Sequence, residues 1–173
     1  MISITTRYGD GGETGLIGPM RLSKSHPRVN AMGDLDELVA NLGLARVHCQ
    51  SAEVASVVKI VQYQLFNVGS SLATPDKGCK THAFLSMNKL LPYLDSQVDK
   101  FGLNKGEYDW SVPGDRADVT YLEVARTVCR RVERTVVSLK ESGEYVNPLV
   151  IQYLNRLSDL LWLLGRWMER GEE

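Results

Sequence analysis

Cysteine is scarce in this sequence: the 173 residues include three, Cys49, Cys79 and Cys129, at wide spacing. An odd number excludes a fully paired disulfide framework, and no CxxC or Cys/His pattern typical of a zinc site occurs. Secreted domains often rely on disulfides, whereas cytosolic thiols stay reduced. We therefore expect three reduced, mostly buried thiols and a cytoplasmic protein.

Long apolar runs are also absent. No stretch of about 18 consecutive apolar residues occurs, so we expect no membrane span. The first residues, MISITTRYGDGGE, have neither the apolar core nor the cleavage site of a secretory signal. We expect no leader in this chain, although a leader already removed would leave no trace. The net charge of −1 gives no basic excess, and this argues against bulk nucleic-acid binding.

The length and composition fit one globular domain over residues 1–173, with 43% hydrophobic and 24% charged residues. In five segments apolar positions recur every three or four residues, which is the period of an amphipathic helix. These segments are residues 29–49, 53–72, 85–101 (interrupted by Pro92), 119–141 and 148–170. The only strand candidate is ISITT, residues 2–6. We predict an all-α fold, a five-helix bundle with an irregular N-terminal arm.

The fourth predicted helix carries charged residues beside its apolar face. At about 100° per residue, five of them form one stripe, called here the arginine stripe: Glu123, Arg126, Arg130, Glu133 and Arg134. Arg131 points elsewhere. Solvated helix faces often carry such ion pairs, each worth a few tenths of a kcal/mol. The planar guanidinium group also suits phosphate or carboxylate ligands. A structural role and a ligand-binding role at a subunit seam both stay open.

Polar residues also share one side of the fifth predicted helix: Asn155, Asp159, Trp162 and Arg166. We interpret Trp162 as a packing residue rather than a stacking platform. Apolar residues cover much of the remaining circumference, which favours burial in the bundle and against another subunit.

The first predicted helix contains the sequence GDLDEL, with Asp34, Asp36 and Glu37. Carboxylates near a helix N-terminus interact favourably with the helix dipole. Alternatively, one of the three pairs with an arginine from another element. The sequence by itself leaves both interpretations open.

The segment RYGDGGETGLIGPMRLSK, residues 7–24, is rich in glycine and has no apolar periodicity. Glycine lets backbone N–H groups converge on an anion. Arg21, Lys24 and the Thr14 hydroxyl group would add further phosphate ligands. The segment contains neither GxxxxGK[ST] nor GxGxxG, so it is neither a Walker loop nor a dinucleotide fingerprint. A phosphate cradle and a flexible N-terminus both fit it.

Five segments occur in order along the chain: TTRYGDGGETGLIG, RLSKSHPRV, GDLDEL, ARTVCRRVER and YLNRLSDLLW. Together they closely resemble the PduO-type ATP:corrinoid adenosyltransferases, from about Thr5 to Trp167, and the last two segments are the most specific. The resemblance implies a homotrimer of five-helix bundles with active sites between subunits. It implies transfer of the 5′-deoxyadenosyl group of ATP to cob(I)alamin, with release of triphosphate.

The resemblance also assigns site residues. The positions that match the ATP site are Thr6, Gly9, Asp10, Gly12, Thr14, Arg21, Lys24, Arg126, Arg130, Glu133 and Asn155. Asp36 matches an aspartate that forms an intersubunit salt bridge with the arginine matched by Arg126. Asp36, Arg126 and Arg130 are therefore the implied catalytic residues. Mg²⁺ is implied together with ATP, with no side-chain ligand assigned. A corrinoid reductase and an adenosylcobalamin-dependent enzyme are candidate partners.

Three features depart from the family pattern. Gly11 stands where the family usually has lysine, and Trp110 stands where it has the phenylalanine that displaces the lower corrinoid ligand. Asp115 and Arg116 add charges where the family has small residues. We expect an altered corrinoid pocket with Trp110 on the corrinoid side. The alternative function is a non-catalytic corrinoid- or nucleotide-binding trimer that binds or delivers adenosylcobalamin.

Overall fold

The computed structural model describes residues 4–75, 82–102 and 112–171, apart from the side chains of residues 82–86. Within these ranges it contains five helices: α1 (Pro27–His48), α2 (Ala52–Leu72), α3 (His82–Phe101), α4 (Ala117–Glu141) and α5 (Pro148–Glu169). Two short strands precede them, β1 (Glu13–Gly15) and β2 (Arg21–Ser23). The predicted all-α fold with five helices is confirmed. None of the described helices is long and apolar enough to cross a membrane.

Side-chain caps explain where two of the helices begin. At α5 the side-chain oxygen of Asn147 accepts a hydrogen bond from the Leu149 N–H at 3.1 Å. At α1 the Nδ1 atom of His26 accepts one from the Arg28 N–H at 3.1 Å. Each cap satisfies a backbone donor that the first helical turn leaves unpaired. Because of its cap, α1 begins at Pro27, before the apolar repeat that starts at residue 29. The predicted interruption at Pro92 is absent, since α3 continues through this residue.

The helices pack around one apolar core, in which α4 contacts both α1 and α5. α1 also contacts α2, and α5 also contacts α3. The core includes these almost fully buried side chains: Leu38, Leu42, Val61, Leu94, Leu122, Leu154 and Leu157. Because the apolar face of α4 is used in this packing, Arg130 and Arg134 of the arginine stripe remain exposed.

A buried hydrogen bond between α2 and α5 gives a test of this packing. Tyr153 is 0% exposed, and its hydroxyl group donates to Oε1 of Gln64 at 2.8 Å. In Tyr153→Phe, Gln64 loses its donor, and a buried acceptor without a partner costs about 1–3 kcal/mol. We expect the free energy of unfolding, measured in urea, to fall by this amount. An unchanged value would show that the bond does not contribute to stability.

The sequence predicted an irregular N-terminal arm, but the structure shows that the arm contains a β-hairpin. β1 and β2 pair antiparallel, with Thr14 opposite Leu22. The intervening turn contains Gly18, whose φ of 97° favours glycine. The Ile17 N–H of this turn donates to the Ala73 carbonyl at 3.3 Å, and this bond docks the hairpin on the end of α2. The strand candidate at residues 2–6 was wrong for residues 4–6, and the rest lies outside the described residues.

Two of the three cysteines lie in the part of the chain that the structure describes, and both are free thiols. Cys129 is buried and Cys49 is half-buried. Burial raises the pKa of both thiols, so both are protonated near neutral pH. Cys79 lies outside the described residues.

Candidate active site

The glycine-rich arm folds into two successive turns that lead into the hairpin. The Asp10 N–H donates to the Arg7 carbonyl at 3.1 Å, and the Gly12 N–H donates to the Gly9 carbonyl at 3.1 Å. The Lys24 N–H donates to the Gly12 carbonyl at 2.8 Å, so the end of β2 lies beside the turns. The arm thereby unites these predicted ATP-binding residues in one small unit: Thr6, Gly9, Asp10, Gly12, Thr14, Arg21 and Lys24.

The two basic residues that the sequence assigned to this arm have different environments. Arg21 holds the arm together, because its Nη2 donates to the Tyr8 carbonyl at 3.0 Å and its Nε reaches the Glu13 carboxylate at 3.4 Å. Lys24 forms no ion pair with any described carboxylate. Its Nζ lies against Gly9, where an added Cβ atom would be 3.0 Å away. Lys24 is therefore a cation of the arm that is available to an incoming anion.

The arginine stripe of α4 and the adjoining face of α5 form two neighbouring pockets. The first has a volume of about 320 Å³ and is lined by Arg126, Arg130, Ser158, Asp159, Trp162 and Leu163. The second has a volume of about 330 Å³ and is lined by Arg130, Glu133, Arg134, Val137, Ser138, Glu141 and Asn155. Arg130 borders both pockets. Four predicted site residues therefore share one surface: Arg126, Arg130, Glu133 and Asn155.

Two hydrogen bonds orient side chains on this surface. Glu123, 7% exposed, accepts from Nε of Arg126 at 2.8 Å. Nδ2 of Asn155 donates to Glu133 at 3.3 Å. The bond to Nε leaves the two terminal nitrogens of Arg126 available to a further acceptor. Glu123 is thus an orienting residue that the sequence interpretation did not assign, although its position three residues before Arg126 signals the contact.

Arg166 lies apart from these pockets. It is 8% exposed, pairs with Glu169 at 2.6 Å and places its Cζ 5.7 Å from the ring centroid of Trp162. Neither pocket is lined by Arg166. Trp162 lines the first pocket and Arg166 does not, so the side of α5 that carries Asn155, Asp159 and Trp162 contributes to the pockets without Arg166.

The carboxylates of α1 have different roles. Asp34, Asp36 and Glu37 lie beyond the first turn of α1, so the predicted interaction with the helix N-terminus is wrong. Thr135 donates its hydroxyl hydrogen to Asp34 at 2.7 Å, and Arg131 donates to Glu37. The bond to Glu37 raises the pKa of Arg131. Asp34 and Glu37 therefore cross-link α1 to α4, and Arg131 does point away from the arginine stripe.

Asp36 lies in a separate groove between the arm, α1 and α2. The groove has a volume of about 260 Å³, and its other lining residues are Ile17, Met32, Leu35, Val39, Leu65, Phe66, Gly69, Ser70 and Ala73. Asp36 is the one charged residue of this lining. The carboxylate of Asp36 makes no hydrogen bond to any described residue. The Arg126 of the same chain pairs with Glu123 instead. Asp36 and Arg126 of one chain therefore line different pockets, and their intersubunit pair stays a prediction.

Of the positions that depart from the family pattern, the structure describes Gly11 and Arg116 but not Trp110. Trp110 lies outside the described residues, and a Cβ atom on Gly11 would meet nothing within 4 Å. Arg116 donates to the Asp118 carboxylate at 2.9 Å and to the Met168 carbonyl. Burial raises the pKa of Asp118, but its hydrogen bonds outweigh burial and hold the pKa below its usual value. Arg116 thus anchors the start of α4 to the end of α5.

Comparisons with known proteins agree with one another. A family model described as "Cobalamin adenosyltransferase" matches residues 4–168. A cobalamin adenosyltransferase of Cupriavidus metallidurans is 34% identical over 170 residues, which cover 97% of this chain and 89% of the relative. A PduO-type adenosyltransferase variant from Lactobacillus reuteri, complexed with ATP, has a TM-score of 0.84 and 30% identity, covering 98% of this chain and 95% of that one. A second variant, complexed with cobalamin and ATP, has a TM-score of 0.78 at the same identity and coverage.

Proposed function

The chain belongs to the cobalamin adenosyltransferase family, and we propose that it transfers the 5′-deoxyadenosyl group of ATP to cob(I)alamin, with release of triphosphate. One observation carries this proposal: Arg126, Arg130, Glu133 and Asn155 share one surface, at positions that the resemblance assigns to ATP. The solved relative with both cobalamin and ATP supports it. Those four residues and the arm residues are the proposed site.

The reaction makes few chemical demands on side chains. The cobalt of cob(I)alamin is itself a strong nucleophile, and its electron pair forms the new cobalt–carbon bond to C5′. The C5′–oxygen bond breaks, and its electron pair leaves with the triphosphate. No proton is removed, so no general base is needed. The chain must orient C5′ and stabilise the leaving charge, and Lys24, Arg126 and Arg130 supply cationic groups for this purpose.

We also propose that Mg²⁺ enters with ATP. No cluster of three or more His, Cys, Asp or Glu side chains in the described ranges could hold a metal ion. Mg²⁺ commonly keeps several waters and binds through substrate phosphates rather than through an all-protein cage. The residues present therefore fit an ion held by the triphosphate, where it would add to the charge stabilisation by Lys24 and the arginines.

We propose that the site is completed between subunits of a homotrimer. Within one chain the groove around Asp36 is mostly apolar, with Asp36 as its one charged residue, and it includes Phe66, which is 63% exposed. We call this groove the Asp36 half-site. The pocket around Arg126 and Arg130, which we call the arginine half-site, has more positive than negative side chains, since the two arginines face one carboxylate, Asp159, and it has Trp162 in its wall. The two surfaces are complementary in charge and in apolar content, so a second copy would bring its Arg126 to Asp36.

Substrate supply follows from the chemistry. Cob(I)alamin must be produced by a one-electron reduction, so we propose a corrinoid reductase upstream and an adenosylcobalamin-dependent enzyme downstream, both in the cytoplasm.

The runner-up function is a trimer that binds or delivers adenosylcobalamin without turnover. Gly11 favours it, since a phosphate-side charge is missing at that position.

A matched pair of glycine variants tests the arm. In Gly9→Ala the new methyl group would lie 3.0 Å from Nζ of Lys24, so this amine would have to shift by a few tenths of an ångström. In Gly11→Ala it would meet nothing within 4 Å. Because this shift would weaken, without deleting, a charge-assisted contact of about 1.5–3 kcal/mol, we expect Gly9→Ala to raise the Kd for ATP severalfold and Gly11→Ala to leave it unchanged. Calorimetric titration with ATP measures both, and equal Kd values would show that ATP binding does not depend on the position of the Lys24 amine beside Gly9.

The proposed reaction itself is tested under anaerobic conditions with ATP, Mg²⁺ and chemically reduced cobalamin. We expect the corrinoid spectrum to convert to that of adenosylcobalamin. No conversion, with ATP and corrinoid binding intact, would favour the runner-up function. Loss of both binding events would overturn the proposal altogether.

A further inference from the structure

Arg28 is a fully buried charged residue outside both half-sites. Its exposed fraction is 0%, and Nη2 lies 2.7 Å from the carboxylate of Glu144. Two backbone carbonyls also accept from it, since Nη1 donates to Leu72 at 2.8 Å and Nη2 donates to Tyr145 at 2.8 Å, whereas the buried Nε has no partner among the described residues. A buried charge is tolerated only with such partners. Arg28 therefore fixes three chain segments relative to one another: the start of α1, the end of α2 and the loop before α5.

The first two segments hold the ATP-binding arm. Arg28 follows Lys24 closely in sequence, and His26 between them accepts the Arg28 N–H at the start of α1. Leu72, which Arg28 binds, is followed by Ala73, whose carbonyl accepts the N–H of the hairpin turn. The exit of the arm and the tip of its hairpin thus both depend on the position of one guanidinium group.

The third segment leads to the α5 side of the other half-site. Glu144 and Tyr145 precede Asn147, which caps α5, and Asn155 of α5 lines the second pocket. The Oε1 atom of Glu144 also lies 3.7 Å from Nε2 of His26. Glu144 therefore contacts His26 and Arg28, which follow the arm at the start of α1, and it belongs to the loop that precedes α5.

We infer that Arg28 and Glu144 form a positioning pair for ATP binding: they hold the arm in its binding-competent place without touching the nucleotide. The inference rests on the proposed function. A purely structural pair would lower stability when it is broken and would leave the ATP affinity of the folded protein unchanged. A positioning pair would change ATP affinity while the protein remains folded.

Glu144→Gln separates these two roles. Arg28→Met removes the buried cation itself and risks a failure to fold, whereas the side chain of Glu144 is 36% exposed and Gln keeps its shape. The matched control is Leu94→Ala, which opens a cavity at a fully buried position of α3, away from the arm. Both variants should lose stability, and they are compared at a temperature where circular dichroism shows both folded.

If Glu144→Gln reduces the binding-competent arm population to a tenth, the Kd for ATP rises about tenfold. We expect this rise by calorimetry and a parallel rise in KM for ATP, with KM for the corrinoid unchanged. We also expect faster amide hydrogen exchange over residues 9–24 than in Leu94→Ala. Leu94→Ala should keep the wild-type Kd.

Equal Kd values and equal exchange of residues 9–24 in the two variants would overturn the inference and leave the pair a structural one. Calorimetry and hydrogen exchange need no turnover. A wild-type protein that binds ATP without producing adenosylcobalamin would therefore defeat the proposed reaction and still allow this test. A wild-type protein that binds no ATP would defeat both.

Discussion

Replacing Arg126 with alanine is expected to lower kcat/KM by about 10²–10³-fold, the usual effect of removing one group that stabilises transition-state charge. Arg126 lines a pocket together with Arg130, while Glu123 holds its Nε at 2.8 Å. Stability should fall by about 1–3 kcal/mol, because the mostly buried Glu123 carboxylate loses its partner, and each kcal/mol lowers Tm by about 2–4 °C. Anaerobic kinetics and thermal unfolding measure the two effects.

Arg131 supplies the matched control for that experiment. It lies on the same helix, but it binds Glu37 and reaches Asp34 at 4.0 Å, on the side that faces α1. We expect Arg131→Ala to lower Tm slightly and to retain wild-type kcat/KM. Equal kinetic losses in the two variants would mean that general loss of charge, and not the pocket, explains the effect of Arg126→Ala.

Much of the fold follows from the apolar repeat alone. Side chains such as Leu122, Val132 and Leu157 recur at helical spacing, and all three are buried in the structure. Helix starts were less predictable, because they depend on caps that periodicity does not report. The Nδ1 atom of His26 caps α1, and histidine is not among the preferred capping residues.

The hairpin could not be predicted, because its strands are only three residues long and glycines obscure any alternation. Its register depends on the φ of Gly18 and on docking against Ala73, a residue distant in sequence. Tertiary contacts of this kind outweigh weak local preferences. The same limit applies to Arg21, whose bond to the Tyr8 carbonyl could not be predicted from the sequence. Its assignment to phosphate stays a prediction.

The charged residues of the proposed site were likewise predictable only in part. Spacing on one helix correctly grouped Arg126, Arg130 and Glu133, since helix geometry fixes which side chains are neighbours. Spacing could not say which of three carboxylates on α1 stays free, because Thr135 and Arg131 on another helix decide it. Only Asp36 is left facing a groove without a partner in the described part of the chain.

Replacing Asp36 with alanine is expected to lower kcat/KM by about 10-fold, less than Arg126→Ala, because it frees the arginine without deleting it. Asp34→Asn is the control, since Asp34 already binds Thr135 within the chain and should keep wild-type activity. The double variant Asp36→Ala/Arg126→Ala should be no worse than Arg126→Ala. Fully additive losses would show that the two residues act independently.

Mixing the two single variants decides whether Asp36 and Arg126 meet across a subunit boundary. If the chain forms the proposed trimer and is refolded from equal amounts of Asp36→Ala and Arg126→Ala chains, about a quarter of the interfaces would combine an intact aspartate with an intact arginine from the neighbouring chain. Activity should then rise to about a quarter of the wild-type value, well above that of either variant alone. If both residues served one chain's own site, every site would lack one of them and mixing would restore nothing. The groove around Asp36 and the pocket around Arg126 are separate surfaces of one chain, so we expect recovery.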